Sequence, residues 1–188
     1  TIPGSGKDHV CRIASLRVSY LLLCMRSPQR YFGMPEHDSI HMLNIAVNSQ
    51  QANRAFFTPL RNYVKKGWFA DKSHVTRDAI EYDKNLIAIS GHSDAESQEG
   101  LNLILGVADE IDAFKEQSEM IGLGSRKREA STSAESILKM LKGSASTRFP
   151  YSYKRVAISY PRYLGSTIQQ LTKEANEDNE KYPEDSIY

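Results

Sequence analysis

The sequence predicts an α/β domain with a mostly parallel central sheet and helices on both of its faces. Two observations carry that expectation. Short apolar runs of strand length recur along the chain, and segments with apolar residues at helical spacing lie between them. Strands alternating with helices are the signature of crossover units that cover a parallel sheet from both sides.

Taken in order, residues 8–26 carry Val10, Ile13, Ala14, Val18, Leu21, Leu22 and Met25 at helical spacing, which predicts a helix. Ser27-Pro28 marks its stop, because the residue before a proline is pushed out of the helical region. Residues 28–39 then read as a loop. Residues 41–47 read as a strand, and a second helix is expected from Gln50 to about Lys66, with Asn48 or Ser49 as its cap. The run Leu-Ile-Ala-Ile-Ser at 86–90 ends in Gly91 and suits a buried strand. The run at 103–108 ends in two acids, and the run at 155–159 is closed by Pro161. Helical patterns are expected near 112–122, 132–142 and 165–176. No internal repeat is visible.

The 188 residues are 40% hydrophobic and 25% charged, an ordinary balance for one globular domain with a sizeable core. Net charge is +1, so only local patches can argue for nucleic acid. Cys11 and Cys24 lack metal-ligand spacing and are too few for a disulfide framework, so both read as buried thiols of a reducing compartment. The longest apolar run, residues 18–25, is bracketed by Arg17 and Arg26 and is far too short for a membrane span. The five histidines show no metal-site spacing, and Trp68-Phe69 and Tyr31-Phe32 read as core or interface aromatics. With no start methionine, signal pattern or strand ahead of the first motif, the chain reads as a fragment.

Two constellations carry chemistry. Gly4-Ser5-Gly6-Lys7-Asp8 runs directly into the first helix. Glycines let backbone N–H groups turn toward a phosphate, the helix start adds partial positive charge, and Lys7 supplies a point charge for the outer phosphates. A plain Gly-Ser turn is the alternative. Asp8 stands where such loops carry Ser or Thr, yet a carboxylate is also an oxygen ligand for Mg²⁺. The second constellation is the apolar run at 103–108 delivering Asp109 and Glu110 at its carboxyl end. One acid could cap a following helix. The catalytic reading gives Asp109 to Mg²⁺ and Glu110 to the water that attacks the γ-phosphate. Together the two point to a P-loop NTPase.

With these motifs the chain resembles the N-terminal ATPase domain of the large terminase subunit of tailed bacteriophages. The resemblance includes the stretch Ser49-Gln50-Gln51-Ala52-Asn53-Arg54-Ala55-Phe56-Phe57, the stretch Glu99-Gly100-Leu101-Asn102 leading into Asp109-Glu110, and Ser159-Tyr160-Pro161-Arg162 after a strand. The last looks like the family's coupling motif, which senses the γ-phosphate. The resemblance implies an ATPase that drives double-stranded DNA into the prohead, with ATP and Mg²⁺ as cofactors. It also implies portal protein and small terminase subunit as partners, a homo-oligomeric ring, no membrane, and a place in the host cytoplasm at the portal vertex. Expected site residues are Gly4, Ser5, Gly6, Lys7, Asp8 and Ser159 for the nucleotide, Asp8 and Asp109 for the metal, and Glu110 and Arg162 for catalysis. Residues 1–172 are expected to form the ATPase domain, truncated at its N-terminus, and 173–188 an acidic linker toward a missing nuclease domain. Nuclease activity is therefore not expected here. Pro3 stands about where similar loops carry an arginine, which leaves the arginine finger open among Arg126, Arg128 and Arg162.

The bases between 126 and 162, led by Arg126-Lys127-Arg128, read equally as DNA-backbone contacts or as a solvated loop. Two rival readings remain: another P-loop ATPase such as a helicase-like protein, and a non-hydrolysing remnant that only binds nucleotide or DNA.

Overall fold

The computed structural model describes residues 6–47, 52–91, 100–114 and 133–181. Helix α1 spans Lys7–Cys24 and is entered through Gly6 at φ 79°, a left-handed conformation that costs glycine nothing. Its buried stripe is Cys11, Ser15, Ser19, Leu22 and Leu23. The apolar set that marks this helix in the sequence is therefore only partly the buried set: Val10, Ile13 and Leu21 are exposed. The reason lies in the serines. Ser15 Oγ donates to Cys11 O at 3.0 Å and Ser19 Oγ to Ser15 O at 2.9 Å. Each hydroxyl is satisfied within its own helix, so small side chains can face the sheet at no polar cost.

The stretch expected as a loop contains one helical turn, α2 (Pro28–Tyr31), with Pro28 in its first turn and Ser27 Oγ accepting from Arg30 N. Strand β1 (Ile40–Ile45) follows. The expected second helix divides in two: a π-helix over Ala52–Phe57 and then α3 over Thr58–Lys66. Its proposed caps, Asn48 and Ser49, lie outside the described residues. Arg12 Nη1 of α1 donates to Ala55 O at 2.7 Å and ties the π-helix to α1.

A hairpin that the sequence reading missed comes next, β2 (Ser73–Val75) and β3 (Ala79–Tyr82), antiparallel to each other. Then come β4 (Leu86–Gly91), β5 (Leu103–Asp109), α4 (Ala134–Ser146), β6 (Lys154–Ile158) and α5 (Thr167–Lys181). The strands form one sheet in the order β2-β3-β4-β1-β5-β6. β4, β1, β5 and β6 are mutually parallel, whereas β3 is antiparallel to β4. The carboxyl ends of the parallel strands thus share one edge, where Ile45 lies beside Ala108 and Asp109 beside Ile158.

Both faces are covered. On one, Leu22, Phe56, Phe57 and Leu60 pack with Met42, Leu105 and Val107; on the other, Ile137 and Leu141 of α4 pack with Leu43, Ile45 and Leu103. Gly106 admits α4 closely, since a Cβ there would stand 2.7 Å from Leu141 Cδ2. Every residue of β5 is buried. A fully buried strand ending in Asp109 is thus the central support of the site.

One further expectation is corrected, and the aromatic pairs divide between core and surface. Cys11 is buried, but Cys24 is exposed. Trp68 is 46% exposed, with Tyr20 edge-on at 5.0 Å and Lys72 Nζ 4.5 Å from the ring centre. Tyr31 is exposed, while its neighbour Phe32 packs edge-on against Phe149. Among the described residues no helix is long and apolar enough to cross a membrane. Helix α5 runs through the expected boundary at 172 and is largely exposed from Thr172 onward.

Candidate functional site

At the carboxyl edge of the sheet, Asp109 closes β5 at 2% exposure. Its Oδ1 is buried with no hydrogen-bond partner, and so is Oδ1 of Asp8 in the first turn of α1. Burial pushes the Asp109 carboxyl up to about 6, Asp8 adds to the rise, Lys7 opposes it, and Glu110 raises it further. Lys7, Asp8, Asp109 and Glu110 therefore share one electrostatic neighbourhood. Cys11 feels the same charges: burial first, then Asp109 and Asp8, push its thiol up to about 11 and hold it neutral.

Glu110 turns sharply out of the strand, at φ 54° and ψ 50°. A non-glycine residue in the left-handed region is strained, and such strain gathers at functional sites. Its carboxylate faces Arg162, with Oε2 3.6 Å from Nη2, and the Arg162 guanidinium also lies 5.5 Å from the Tyr160 ring centre. Ser159, buried just after β6, accepts from the backbone N–H of Asp112 at 3.3 Å through Oγ. Arg162 and Ser159 thus meet the acid-bearing loop rather than α1. Gly4 and Ser5 lie outside the described residues, as do Arg126, Lys127 and Arg128.

The donor set fits Mg²⁺. Two buried carboxylate oxygens without partners, each adding to the other's charge, would both be satisfied by one hard cation. Among the described residues no group of three or more His, Cys, Asp or Glu could hold a metal ion. Two carboxylates suit Mg²⁺, which usually takes one or two from protein and fills its shell with phosphate oxygens and water.

Asp112 escaped the sequence reading. It is 6% exposed, and its Oδ1 accepts from the backbone N–H of Ile168 at 3.0 Å. Its partner lies 56 residues away, so no local spacing could have marked it. Arg12 escaped for the same reason.

A left-handed glycine leading into a helix that opens with Lys-Asp, set against a buried strand that ends in Asp109 with Glu110 next, defines a P-loop domain, a class that binds nucleotide with Mg²⁺. The chain belongs to the family described as Uncharacterized protein MJ0330, N-terminal P-loop domain, whose profile matches residues 3–186. No curated protein matches the chain.

Proposed function

We propose that this domain hydrolyses ATP with Mg²⁺ and does so as the motor of a terminase-type DNA translocase. One observation carries the hydrolase reading: the partnerless Asp8 and Asp109 oxygens lie at the foot of α1, with Glu110 next in the chain. Lys7 takes the outer phosphates as a point charge. Asp8 and Asp109 hold Mg²⁺, which when bound neutralises charge on the phosphates. Glu110 orients the attacking water and takes its proton, a role worth on the order of 10²–10⁴ in rate. Arg162, already beside Glu110, is a cation that can answer the charge that develops there.

The motor reading is supported by motif order. The chain runs from Gly-Ser-Gly-Lys-Asp, through Asp109-Glu110, to Ser159-Tyr160-Pro161-Arg162. Both of the latter groups follow neighbouring parallel strands, and a hydrogen bond joins their loops. On this reading the substrate is double-stranded DNA, and the motor works as a ring at the prohead portal with the portal protein and the small subunit.

Nucleotide binding and turnover by variants test the roles. Lys7→Ala abolishes ATP binding, because Lys7 meets phosphate in the ground state. Glu110→Gln keeps binding and loses turnover, because Glu110 acts on the attacking water. Equal loss of binding in both would remove Glu110 as the base. Stimulation of turnover by double-stranded DNA supports the translocase, whereas stimulation by single strands alone points to the helicase-like alternative.

A further inference from the structure

We propose that Asp112 is a positioning residue that hooks helix α5 to the Glu110 loop, and that this hook passes the state of the nucleotide site to the exposed acidic face of α5. The inference rests on the nucleotide reading above.

Asp112 sits in the short turn Ile111–Ala113, immediately after the strained Glu110. It is bound on two sides. Its N–H donates to Ser159 Oγ at the end of β6, and its Oδ1 accepts the Ile168 N–H in the first turn of α5. A change in the aim of Glu110, now paired with Arg162, turns the backbone that carries both bonds. Asp112 is thus the point where the acid loop, β6 and α5 meet.

A second acceptor for the helix start stands beside it in the chain. Ser166 precedes Thr167 and is fully buried, and its Oγ has no hydrogen-bond partner. Gln169, three residues on, already reaches back to accept from Gly165 N at 2.7 Å. A serine followed three residues later by glutamine is a capping box, in which the serine oxygen accepts from a first-turn N–H. Here Gln169 takes the Gly165 N–H, one residue short of the box, while Ser166 N donates to Tyr163 O and the first-turn amide of Ile168 is held by Asp112. Two acceptors, Asp112 and Ser166, can therefore compete for one helix end. That gives α5 two discrete ways to begin, the kind of bistable element that transmits a switch.

Ile168 packs against the core on the α4 side, and the exposed stretch beyond Leu171 carries Glu174, Glu177 and Asp178. A 15-residue helix is about 22 Å long, so a small rotation at its start sweeps the acidic face through a larger arc.

Hydrogen exchange of the α5 amides, with and without Mg²⁺ and the non-hydrolysable β,γ-imido analogue of ATP, tests the relay. In the wild type the nucleotide should change protection of Ile168 and the following turn by about fivefold, the equilibrium equivalent of one side-chain cap. Asp112→Ala should bind the analogue normally, yet its α5 amides should exchange alike with and without it. Asp112→Asn keeps the acceptor and should restore the response. Should Asp112→Ala fail to fold, Ser166→Ala serves: it removes the alternative cap, so it should bind the analogue and leave α5 unresponsive. A wild type that binds the analogue with no change in α5 overturns the relay alone, as does either alanine variant with an undiminished response. A wild type that binds no analogue overturns the nucleotide reading and the relay with it.

Discussion

Asp109→Asn should stabilise the metal-free protein while destroying its use of Mg²⁺. Asp109 is 2% exposed, and its carboxyl is raised from 3.8 to about 6, first by burial and then by Asp8. A rise of about two units costs the ionised form about 3 kcal/mol in the fold at pH 7. Asparagine keeps the shape and removes the charge. The sign follows from proton uptake. Between about pH 4 and pH 6 the folded state holds a proton on Asp109 that the unfolded state has released, so wild-type stability falls across that window as pH rises. The variant lacks that slope. At pH 7 it should melt roughly 6–12 °C above the wild type without metal or nucleotide, at 2–4 °C per kcal/mol for a chain of this size. At pH 4 the two should nearly coincide. Thermal unfolding followed by circular dichroism in the presence of a chelator is the assay. An equal gain at both pH values, or a lower melting temperature at pH 7, would refute the idea that a buried, repelled carboxylate sits at the end of β5.

Asp8→Ser should retain Mg²⁺-dependent turnover because it restores the commoner hydroxyl ligand, whereas Asp8→Ala should lose it; metal titrations of turnover check both. Arg162→Ala should slow hydrolysis by an amount on the order of 10³ if the guanidinium acts on the transferred phosphoryl group. Because the Glu110–Arg162 pair is partly exposed, unfolding stability should change by less than about 1 kcal/mol in the same variant, as denaturant titration would show. At pH 8 one equivalent of a thiol reagent should modify exposed Cys24, while Cys11, buried and with its thiol pushed up to about 11, should react only after unfolding; intact and peptide mass spectra decide. Leu141→Ala should cost about 2–5 kcal/mol, because this fully buried side chain of α4 fills the space over Gly106 on β5.

The central parallel strands were legible because burial on both faces makes them nearly continuous apolar runs, whereas β6 at the sheet edge is only partly buried. β4 and β5 match the runs at 86–90 and 103–108 almost residue for residue. The hairpin β2–β3 was not legible. Its strands are three and four residues long, and only the alternation of Ile80, Glu81 and Tyr82 before the Asp83-Lys84-Asn85 turn marks it. Helix α1 was found but its inner face was misread, because Ser15 and Ser19 look polar in sequence and spend that polarity on their own backbone. At the site, Lys7, Asp8, Asp109 and Glu110 could be named because each sits beside a local signal, a glycine turn or a strand end. The Glu110–Arg162 pair and the Asp112–Ile168 bond join segments far apart in the chain, and only the fold brings them together.

The most direct test of the central claim is the thermal shift produced by Mg-ATP compared with ATP in excess chelator. A ligand at a hundred times its dissociation constant stabilises a protein by about 2.7 kcal/mol, which here is a rise of roughly 5–11 °C. The metal site formed by Asp8 and Asp109 predicts that full rise with Mg-ATP, a much smaller one with ATP and chelator, and none with Mg-ATP for Lys7→Ala. Equal shifts with and without Mg²⁺, or no shift with Mg-ATP at saturating concentration, would contradict it.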